Sequence, residues 1–481
     1  MKKIMAMCLA ATLFAGSAVL SACRASVKEP VYESTRKYEI GMWVGVPEFY
    51  YDAGGNRGET LTDEEFLQQY RYVADAGITI AFPGYYNMGD GRTSYNMKAL
   101  KAAHEVGIKQ IIADSQIRNL LFGAKAALEI CADDAERARK EDEIVETAKA
   151  YLKYYTDSEY ADALYGFMIK DEPGTNMFEQ LGIAGRIFKK AAPNLMFYCN
   201  LFPVIAGGAQ LSGGSGSVNY NTYLNKWAQT VDTDYISYDH YPLYSDGINY
   251  TMEKSFLYNM DVMQTLVRDE GKGRRVWTFL QSIQFGAKNR ALASTADASF
   301  QAYSYFAYGG DGIQWFCYCC PPGNDGATNF ANNALMNREL QKTDTYTYVR
   351  NANNYIHALM PYYENFEWQG VVLSDVSDAA GNFSYLEASE NLITSTETLK
   401  KLDSTEDAFA GVFKDKDGRE GYMVVNFTDP ALNISNTVNM TFGKASNAVV
   451  VKNGVKETVK VKGNKLSLEL KPGDGAFVIP Y

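Results

Sequence analysis

Eight short apolar segments alternate with longer segments of helical periodicity between residues 38 and 360. Each short segment is apolar at successive positions, which is typical of a strand that is buried on both faces. Strand–helix alternation repeated eight times predicts a closed (β/α)8 barrel. The predicted strands lie at 41–46, 78–83, 110–114, 164–169, 196–201, 235–238, 276–280 and 312–316.

The segments between the predicted strands carry helix signals. Thr62-Asp63-Glu64-Glu65 is a capping box, and a helix is predicted to begin there and run to about Ala76. Further helices are predicted at about 97–106, 133–155, 178–191, 220–231, 256–270, 294–307 and 335–360. A doubly wound open sheet is the alternative fold. Its first strand is normally followed by a glycine-rich turn, but Pro47-Glu48-Phe49-Tyr50 follows here.

The chain changes character near residue 361. Helical periodicity gives way to short stretches in which apolar and polar residues alternate, separated by turn sequences such as Lys416-Asp417-Gly418 and Lys452-Asn453-Gly454. Alternation of this kind indicates strands with one buried face. We therefore expect a barrel domain over residues 38–360 and a C-terminal antiparallel β-sandwich domain over residues 361–481.

The N-terminal residues have the pattern of an export signal. Lys2 and Lys3 precede an apolar stretch at about 4–20, which is too short and too rich in small residues for a membrane-spanning helix. The stretch ends in Leu20-Ser21-Ala22-Cys23, which resembles the lipobox of bacterial lipoproteins. The resemblance implies a signal peptide at 1–22, a lipid anchor on Cys23, a linker at 23–37 and an exported protein tethered to a membrane of the cell envelope. Ordinary signal cleavage with an incidental cysteine is the alternative.

Composition limits the partners of the chain. Its formal net charge is -11, which disfavours nucleic acid because phosphate binding needs a basic surface. Tyrosine is abundant, with 35 residues against 24 phenylalanines, and its flat ring and hydroxyl together suit sugars. Compositional bias explains the tyrosines equally well. Cys317, Cys319 and Cys320 lie close enough in the sequence to bind a soft metal, or the last two to form a disulfide. Because the chain has only three histidines and no second Cys/His pair at zinc-site spacing, we expect buried structural thiols, no metal and no other cofactor.

A barrel of this kind builds its active site from residues at the carboxyl ends of its strands. Hydrolysis of a glycosidic bond needs two carboxyl groups that flank the bond. Glu172 follows the fourth predicted strand and Asp239 follows the sixth, so these two groups form the best-placed catalytic pair. The residues near strand ends that are predicted to bind substrate are Trp43, Asp114, Asp171, Asn200, His240, Tyr241, Gln281, Trp315 and Tyr318.

The segment Gly166-Phe167-Met168-Ile169-Lys170-Asp171-Glu172-Pro173 resembles the fourth-strand signature of a large clan of (β/α)8 glycoside hydrolases, which contains cellulase-like and β-galactosidase-like families. Members of the clan typically have Asn-Glu at this point, often Asn-Glu-Pro, and the glutamate is the general acid/base. The resemblance therefore implies this role for Glu172. His240-Tyr241-Pro242 is similar to the sixth-strand segment of the clan, in which a histidine or tyrosine supports the nucleophile.

Two positions depart from the pattern of the clan. Asp171 replaces the asparagine that bonds the sugar hydroxyl next to the reacting carbon. Gln281 ends the seventh predicted strand, where the clan has its glutamate nucleophile, and an amide cannot act as that nucleophile. We therefore take Asp239 as the second carboxyl group, with Asp114, Glu48 and Asp171 as reserves. An inverting mechanism, with Asp239 as base on water, would tolerate Gln281 as a ligand of that water or of the sugar.

These features predict a surface-anchored glycoside hydrolase that acts on oligo- or polysaccharides, with Glu172 as general acid/base. A non-catalytic glycan-binding protein on a degenerate barrel is the main alternative, and Gln281 is the reason for it. A barrel enzyme of another class, such as a lyase or a deacetylase-like hydrolase, is the third hypothesis. Its metal-dependent forms are disfavoured because the sequence shows no His/Asp cluster.

Overall fold

A computed structural model of the chain describes residues 28–34, 38–52, 54–85, 87, 93–322, 329–374 and 376–481. The predicted signal peptide at 1–22 and the predicted lipid anchor at Cys23 lie outside the described residues. Both remain predictions.

Eight parallel strands close into a barrel, which confirms the predicted (β/α)8 fold. The strands are β1 (Glu39–Trp43), β2 (Ile80–Ala81), β3 (Lys109–Ile112), β4 (Leu164–Asp171), β5 (Met196–Leu201), β6 (Tyr235–Asp239), β7 (Arg275–Gln281) and β8 (Gly312–Phe316). Strand β1 pairs with both β2 and β8, so the barrel has no free edge. Each strand overlaps one of the eight predicted apolar segments.

Strand β4 is longer than the sequence predicts. It continues beyond the predicted end at Ile169 and includes Lys170 and Asp171. The pairing of β4 with β5 shifts register between Met168 and Lys170, after which Asp171 lies opposite Asn200. An irregularity of this kind changes the direction of the side chains that follow it. It therefore brings the predicted site residue Asp171 next to Asn200.

Ten helices lie among the described residues. They are α1 (Asp63–Asp75), α2 (Thr93–Val106), α3 (Ser115–Glu129), α4 (Asp134–Thr156), α5 (Phe178–Ala191), α6 (Gly208–Ser212), α7 (Tyr220–Thr230), α8 (Phe256–Glu270), α9 (Thr295–Ala307) and α10 (Asp344–Tyr363). The predicted capping box of α1 is present, because the Thr62 hydroxyl accepts from the Glu65 backbone and the Glu65 carboxylate accepts from the Thr62 backbone. None of these described helices combines the length and the apolar character needed to cross a membrane.

Three helices differ from the sequence-based expectation. The short helix α6 was not predicted. Helix α3 was not predicted either, and it begins directly after β3 with Asp114 as its N-cap. Helix α10 begins at Asp344 rather than near residue 335, because the Thr343 hydroxyl accepts from the Thr345 backbone and caps the helix there. The segment before it forms turns around Asn337 and Gln341 instead.

The C-terminal part is an antiparallel β-sandwich, as predicted. Its strands are β9 (Phe366–Leu373), β10 (Leu399–Ser404), β11 (Ala408–Asp415), β12 (Glu420–Asn426), β13 (Asn436–Phe442), β14 (Asn447–Lys452), β15 (Val455–Lys460), β16 (Lys465–Leu470) and β17 (Gly475–Pro480). One sheet has the order β9-β11-β12-β17-β14-β15, and the other has the order β10-β13-β16. Apolar side chains from both sheets, such as Val412, Val424, Met440 and Leu468, form the core between them.

Helix α9 of the barrel packs against the sandwich. A Cβ atom on Gly411 of β11 would lie 2.0 Å from the Ala307 carbonyl oxygen, and one on Gly473 would lie 2.2 Å from the Ala296 carbonyl oxygen. The Ser299 hydroxyl also donates to the Gly473 carbonyl oxygen over 3.0 Å. The backbones of the two domains thus approach each other at glycines, where any side chain would separate them.

We expect Gly411→Ala to lower the free energy of unfolding by about 1–3 kcal/mol, because the new methyl group meets a backbone carbonyl that cannot rotate away. Urea denaturation measures this change. Gly123→Ala is the matched control, since Gly123 lies on the exposed face of α3 with no atom near its virtual Cβ. The control should raise stability by about 0.5–1 kcal/mol. Equal effects of the two substitutions would show that the close approach does not matter.

Candidate active site

The carboxyl ends of the barrel strands surround a cavity of about 290 Å³. Both predicted catalytic residues, Glu172 and Asp239, lie in its wall, together with four of the predicted substrate-binding residues. The lining residues are Trp43, Asp171, Glu172, Asn200, Asp239, Tyr241, Phe279, Phe285, Phe316 and Phe330. Residues distant in the sequence meet here because all eight parallel strands end at the same face of the barrel.

Asn200 connects two of the carboxyl groups. Its Nδ2 amide donates to Asp239 Oδ1 over 3.0 Å and to Asp171 Oδ1 over 3.3 Å. These three side chains come from β5, β6 and β4, which are neighbours in the barrel. One amide group therefore sets the separation of two negatively charged side chains.

Hydrogen bonds inside the barrel fix the orientation of Asn200. The Ser237 hydroxyl donates to Asn200 Oδ1 over 3.0 Å, and Gln314 Nε2 donates to the Ser237 hydroxyl over 2.9 Å. The Tyr198 hydroxyl in turn donates to Gln314 Oε1 over 2.6 Å. Because the Asn200 oxygen is occupied as an acceptor, its NH2 group must face the carboxyl groups.

Glu172 has an unusual backbone conformation. Its φ angle is 45°, in the left-handed region that non-glycine residues rarely occupy. The Glu172 backbone N–H donates to the Asn200 carbonyl oxygen over 2.8 Å, which ties this residue to the end of β5. Such a conformation costs on the order of 1–3 kcal/mol and is often found at functional sites. It sends the Glu172 side chain into the cavity wall directly after β4 ends.

Burial raises the pKa values of the three carboxyl groups, and like charge adds to its effect at Glu172 and Asp239. Burial is the main cause at Glu172, and the charges of Asp239 and Asp171 add to it, so its pKa lies far above the ordinary value of 4.5. Burial and the charge of Asp171 also raise the pKa of Asp239, but the hydrogen bond from Asn200 opposes them. At Asp171 burial raises the pKa to about 6, while the Asn200 hydrogen bond and the charge of Lys170 oppose the rise. Asp171 is also an exposed residue, which reduces the effect of burial, so we expect it to be the most acidic of the three. Glu172 is therefore the group that keeps its proton at neutral pH.

The opposite wall of the cavity is aromatic. Trp43 lies at the end of β1, with its ring centroid 5.6 Å from that of Phe279 on β7. The Phe316 ring, at the end of β8, lies 5.7 Å from Tyr241 and 5.8 Å from Phe330. This half of the cavity offers ring faces and edges, whereas the half formed by β4, β5 and β6 offers carboxyl and amide groups.

The alternation of side chains along a strand places His240 outside the cavity. Asp239 points into the barrel, so the next residue points away from it. His240 is buried, and its ring contacts Asn259 Oδ1 at 3.0 Å and Glu253 Oε2 at 2.9 Å. His240 thus anchors the loop after β6 to α8, and it is not among the described residues that line the cavity.

Asp114, like His240, has a structural role, because it is the N-cap of α3. Its carboxylate accepts from the backbone N–H groups of Gln116 and Ile117 at the start of α3, and it accepts from the Tyr155 hydroxyl. An N-cap of this kind satisfies helix donors that have no other partner. Neither Asp114 nor the reserve candidate Glu48 is among the described residues that line the cavity.

Gln281 lies at the end of β7, but its amide group is not in the cavity wall. The side chain is fully buried, and its Nε2 donates to the Arg290 carbonyl oxygen over 2.6 Å. Its Oε1 accepts from Asn289 Nδ2 over 3.4 Å. The loop after β7 therefore covers Gln281, and its amide holds that loop.

Trp315 and Tyr318 also lie away from the cavity, although both were predicted to bind substrate. Trp315 is one residue before Phe316 on β8 and faces α10, where its Nε1 donates to Asn353 Oδ1 over 2.9 Å. The Tyr318 hydroxyl donates to the backbone and side-chain oxygens of Gln69 in α1. Both are fully buried structural residues.

Four phenylalanines of the wall were not predicted. Phe279 and Phe316 could have been found, because they lie two residues from Trp277 and Gln314, both of which point into the barrel. Phe285 and Phe330 lie in loops, where no periodicity indicates the direction of a side chain. Only the path of those loops brings the two rings to the cavity.

Histidine, cysteine and carboxylate side chains do not form a metal site in the described part of the chain, where no group of three is close enough. Cys131, Cys199, Cys317, Cys319 and Cys320 are free thiols, and all except Cys131 are buried.

No protein-family model matches the chain, and no curated protein sequence is significantly similar to it. Its backbone resembles solved structures at low similarity. A family 39 glycoside hydrolase from the gut symbiont Bacteroides cellulosilyticus WH2 is 11% identical with a TM-score of 0.47, over 92% of this chain and 81% of that one. An Anoxybacillus alpha-amylase is 11% identical with a TM-score of 0.48, over 92% and 98%. The alpha-L-arabinofuranosidase from Thermotoga maritima is 10% identical with a TM-score of 0.44, over 94% and 98%. Likenesses this weak do not assign a function, which must be inferred from the side chains of the cavity.

We expect Glu172→Gln to stabilise the protein at neutral and alkaline pH. The pKa of Glu172 is higher in the folded state than in the unfolded state, so this carboxyl group weakens folding as pH rises above about 4.5. The amide has no charge to bury and is not repelled by Asp239. The gain in the free energy of unfolding should be on the order of 1–3 kcal/mol near pH 8 and disappear near pH 4.

Urea denaturation at these two pH values measures the effect. Glu179→Gln is the matched control, because Glu179 is an exposed glutamate of α5 and its replacement should change stability by less than about 0.5 kcal/mol. A Glu172→Gln variant that is no more stable than the original chain near pH 8 would mean that Glu172 is not destabilised when ionised.

Proposed function

We propose that the protein is a glycoside hydrolase with Glu172 as general acid and Asp239 as the second catalytic carboxyl group. The observation that carries the proposal is the shared cavity, in which Glu172 has a strongly raised pKa and Asp239 lies in the same wall. Glycoside hydrolysis requires a carboxylic acid that is still protonated and a second carboxyl group that is ionised. The environments of the two residues separate their pKa values in that order.

In the proposed reaction Glu172 donates its proton to the glycosidic oxygen as the bond to the leaving group breaks. Asp239, with a carboxylate that Asn200 holds by a hydrogen bond, acts on the opposite side of the sugar ring. Retention of configuration in the product would identify Asp239 as a nucleophile, and inversion would identify it as a base that activates water. While Glu172 keeps its proton it adds no negative charge next to Asp239, so the two groups do not repel each other before the proton is transferred.

The two halves of the cavity fit the two kinds of surface that a sugar presents. The rings of Trp43, Phe279 and Phe316 suit the C–H faces of a sugar ring, and the polar groups of Asp171 and Asn200 suit its hydroxyl groups. No lysine, arginine or histidine is among the described residues of the wall. We therefore propose a carbohydrate substrate, in oligo- or polysaccharide form.

Glu172→Gln should lower kcat/KM for glycosides with poor leaving groups by about 100-fold or more, because general acid catalysis contributes roughly this much. The loss should be much smaller for dinitrophenyl glycosides, since such a leaving group departs without protonation. Hydrolysis of a panel of alkyl and dinitrophenyl glycosides by the two proteins measures the difference. Glu179→Gln serves again as the control and should keep full activity.

Equal losses for both kinds of leaving group would contradict the acid role of Glu172. Full activity of Glu172→Gln would contradict the proposed site as a whole.

A glycan-binding protein without turnover is the second candidate function. Gln281 favours it, because β7 ends in an amide where the resembled clan has its nucleophile. Binding of a glycan in the absence of any hydrolysis by the unaltered chain, at any pH between about 4 and 9, would support this function. Turnover that depends on Glu172 would eliminate it.

We also propose that Cys23 carries a lipid that tethers the protein to a membrane. Support comes from the sequence Leu20-Ser21-Ala22-Cys23 directly after an apolar stretch. When the full chain is expressed in bacteria, it should partition into the detergent phase of a Triton X-114 extraction, and Cys23→Ser should move it to the aqueous phase. Cys131→Ser is the control that should leave partitioning unchanged. Aqueous partitioning of the unaltered chain would contradict the anchor.

A further inference from the structure

Two loops carry aromatic side chains of the cavity. The loop after β6 begins with Tyr241 and continues into a hairpin with strands at Leu243–Ser245 and Tyr250–Met252, and the loop after β7 contains Phe285. The rings of Tyr241 and Phe285 lie 5.2 Å apart in an edge-to-face arrangement. The shape of this wall therefore depends on how the two loops are held against each other.

The loops are joined by backbone hydrogen bonds. The Ser245 N–H donates to the Lys288 carbonyl oxygen over 2.8 Å, and the Arg290 N–H donates to the Leu243 carbonyl oxygen over 3.0 Å. Asn289 Nδ2 also donates to the Tyr241 carbonyl oxygen over 3.4 Å. The loops thus form one unit, with Arg290 at the point where they meet.

The side chain of Arg290 connects this unit to both domains. Its guanidinium donates to Asp297 Oδ1 over 2.7 Å and to Asp297 Oδ2 over 3.0 Å, at the start of α9. It also donates to Asp429 Oδ1 of the sandwich over 2.7 Å. Arg290, Asp297 and Asp429 are 6%, 1% and 3% exposed, so water screens these charges little.

The carbonyl oxygen of Arg290 completes the connection. It accepts from Gln281 Nε2 at the end of β7. A continuous path of contacts therefore runs from the last residue of a barrel strand, through Arg290, to Asp429 in the C-terminal domain. Gln281 occupies the strand end where the resembled clan has a nucleophile, and here it belongs to this path.

We propose that Asp429 is a positioning residue of the C-terminal domain, which acts through Arg290 to hold the Tyr241 and Phe285 loops in the cavity wall. The sandwich is then part of the substrate-binding unit and not only an attached domain. The ion pair between Arg290 and Asp429 exists whether or not the protein is an enzyme. The effect of this pair on substrate binding rests on the proposed glycosidase function. Charged hydrogen bonds between buried partners are strong enough to determine how often a loop opens.

The test is hydrogen exchange measured by mass spectrometry on the full chain with Asp429→Asn. The substitution keeps the size of the side chain but removes its charge, so the amides of residues 243–252 and 282–293 should exchange on the order of tenfold faster. Asp429→Ser is a second variant, because serine can still accept from the Ala431 backbone N–H that Asp429 caps. Both variants should loosen the same two segments.

Tyr303→Phe is the matched control. The Tyr303 hydroxyl of α9 donates to Asn453 Oδ1 of the sandwich over 3.2 Å, so this substitution also removes one bond between the domains, but at a place without contact to the two loops. Exchange in 243–252 and 282–293 should stay unchanged in this variant. Unchanged exchange with Asp429→Asn, or equally faster exchange with Tyr303→Phe, would overturn the proposal.

A kinetic readout separates positioning from a general loss of structure. Asp429→Asn should raise KM about threefold to tenfold for a cleaved glycoside and change kcat little, since Glu172 and Asp239 are carried by other strands. A fall in kcat with no change in KM would contradict the role in substrate binding. If no glycoside is cleaved by the unaltered chain, the proposed function fails, and the exchange experiment still decides whether Asp429 holds the loops.

Discussion

The pairing of β1 with both β2 and β8 is the constraint on which the site depends. Closure gives every strand two partners and leads all eight carboxyl ends to one face, where β4, β5 and β6 lie side by side. The parallel pairing of these three strands brings Asp171 and Asp239 within hydrogen-bond distance of Asn200, although 68 positions separate the two aspartates in the sequence. An open sheet would give these strands the same pairing, but it would not bring Trp43 and Phe316 from β1 and β8 to the opposite wall.

The acidic half of the cavity is a compromise between stability and reactivity. Three carboxyl groups in one wall repel each other when ionised, and burial makes each charge more costly. Asn200 reduces this cost at Asp239 and Asp171 through its amide, and protonation reduces it at Glu172. The same features that weaken folding place one proton donor beside two more acidic carboxyl groups in a single site.

The aromatic half depends on contacts that lie outside the barrel strands. Tyr241 and Phe285 belong to loops, so the hydrogen-bond ladder of the barrel does not fix their side chains. Their position follows from the backbone bonds between the two loops and from Arg290, which is bound by Asp297 of the barrel and Asp429 of the sandwich. Close packing of the sandwich on α9 at Gly411 keeps Asp429 near enough for this contact.

The sequence by itself determined the barrel, the sandwich and the positions of Glu172 and Asp239 at strand ends. The reason is that the periodicity of each segment, and the succession of segments along the chain, can be read without knowing any long-range contact. It did not determine which side chains face the cavity. Side chains alternate along a strand, so an error of one residue in the predicted direction of β8 places Trp315 in the cavity instead of Phe316. The path of the loop after β7 decides whether Gln281 is open to the cavity or covered. Those outcomes depend on residues far away in the chain, and only the tertiary structure brings them together.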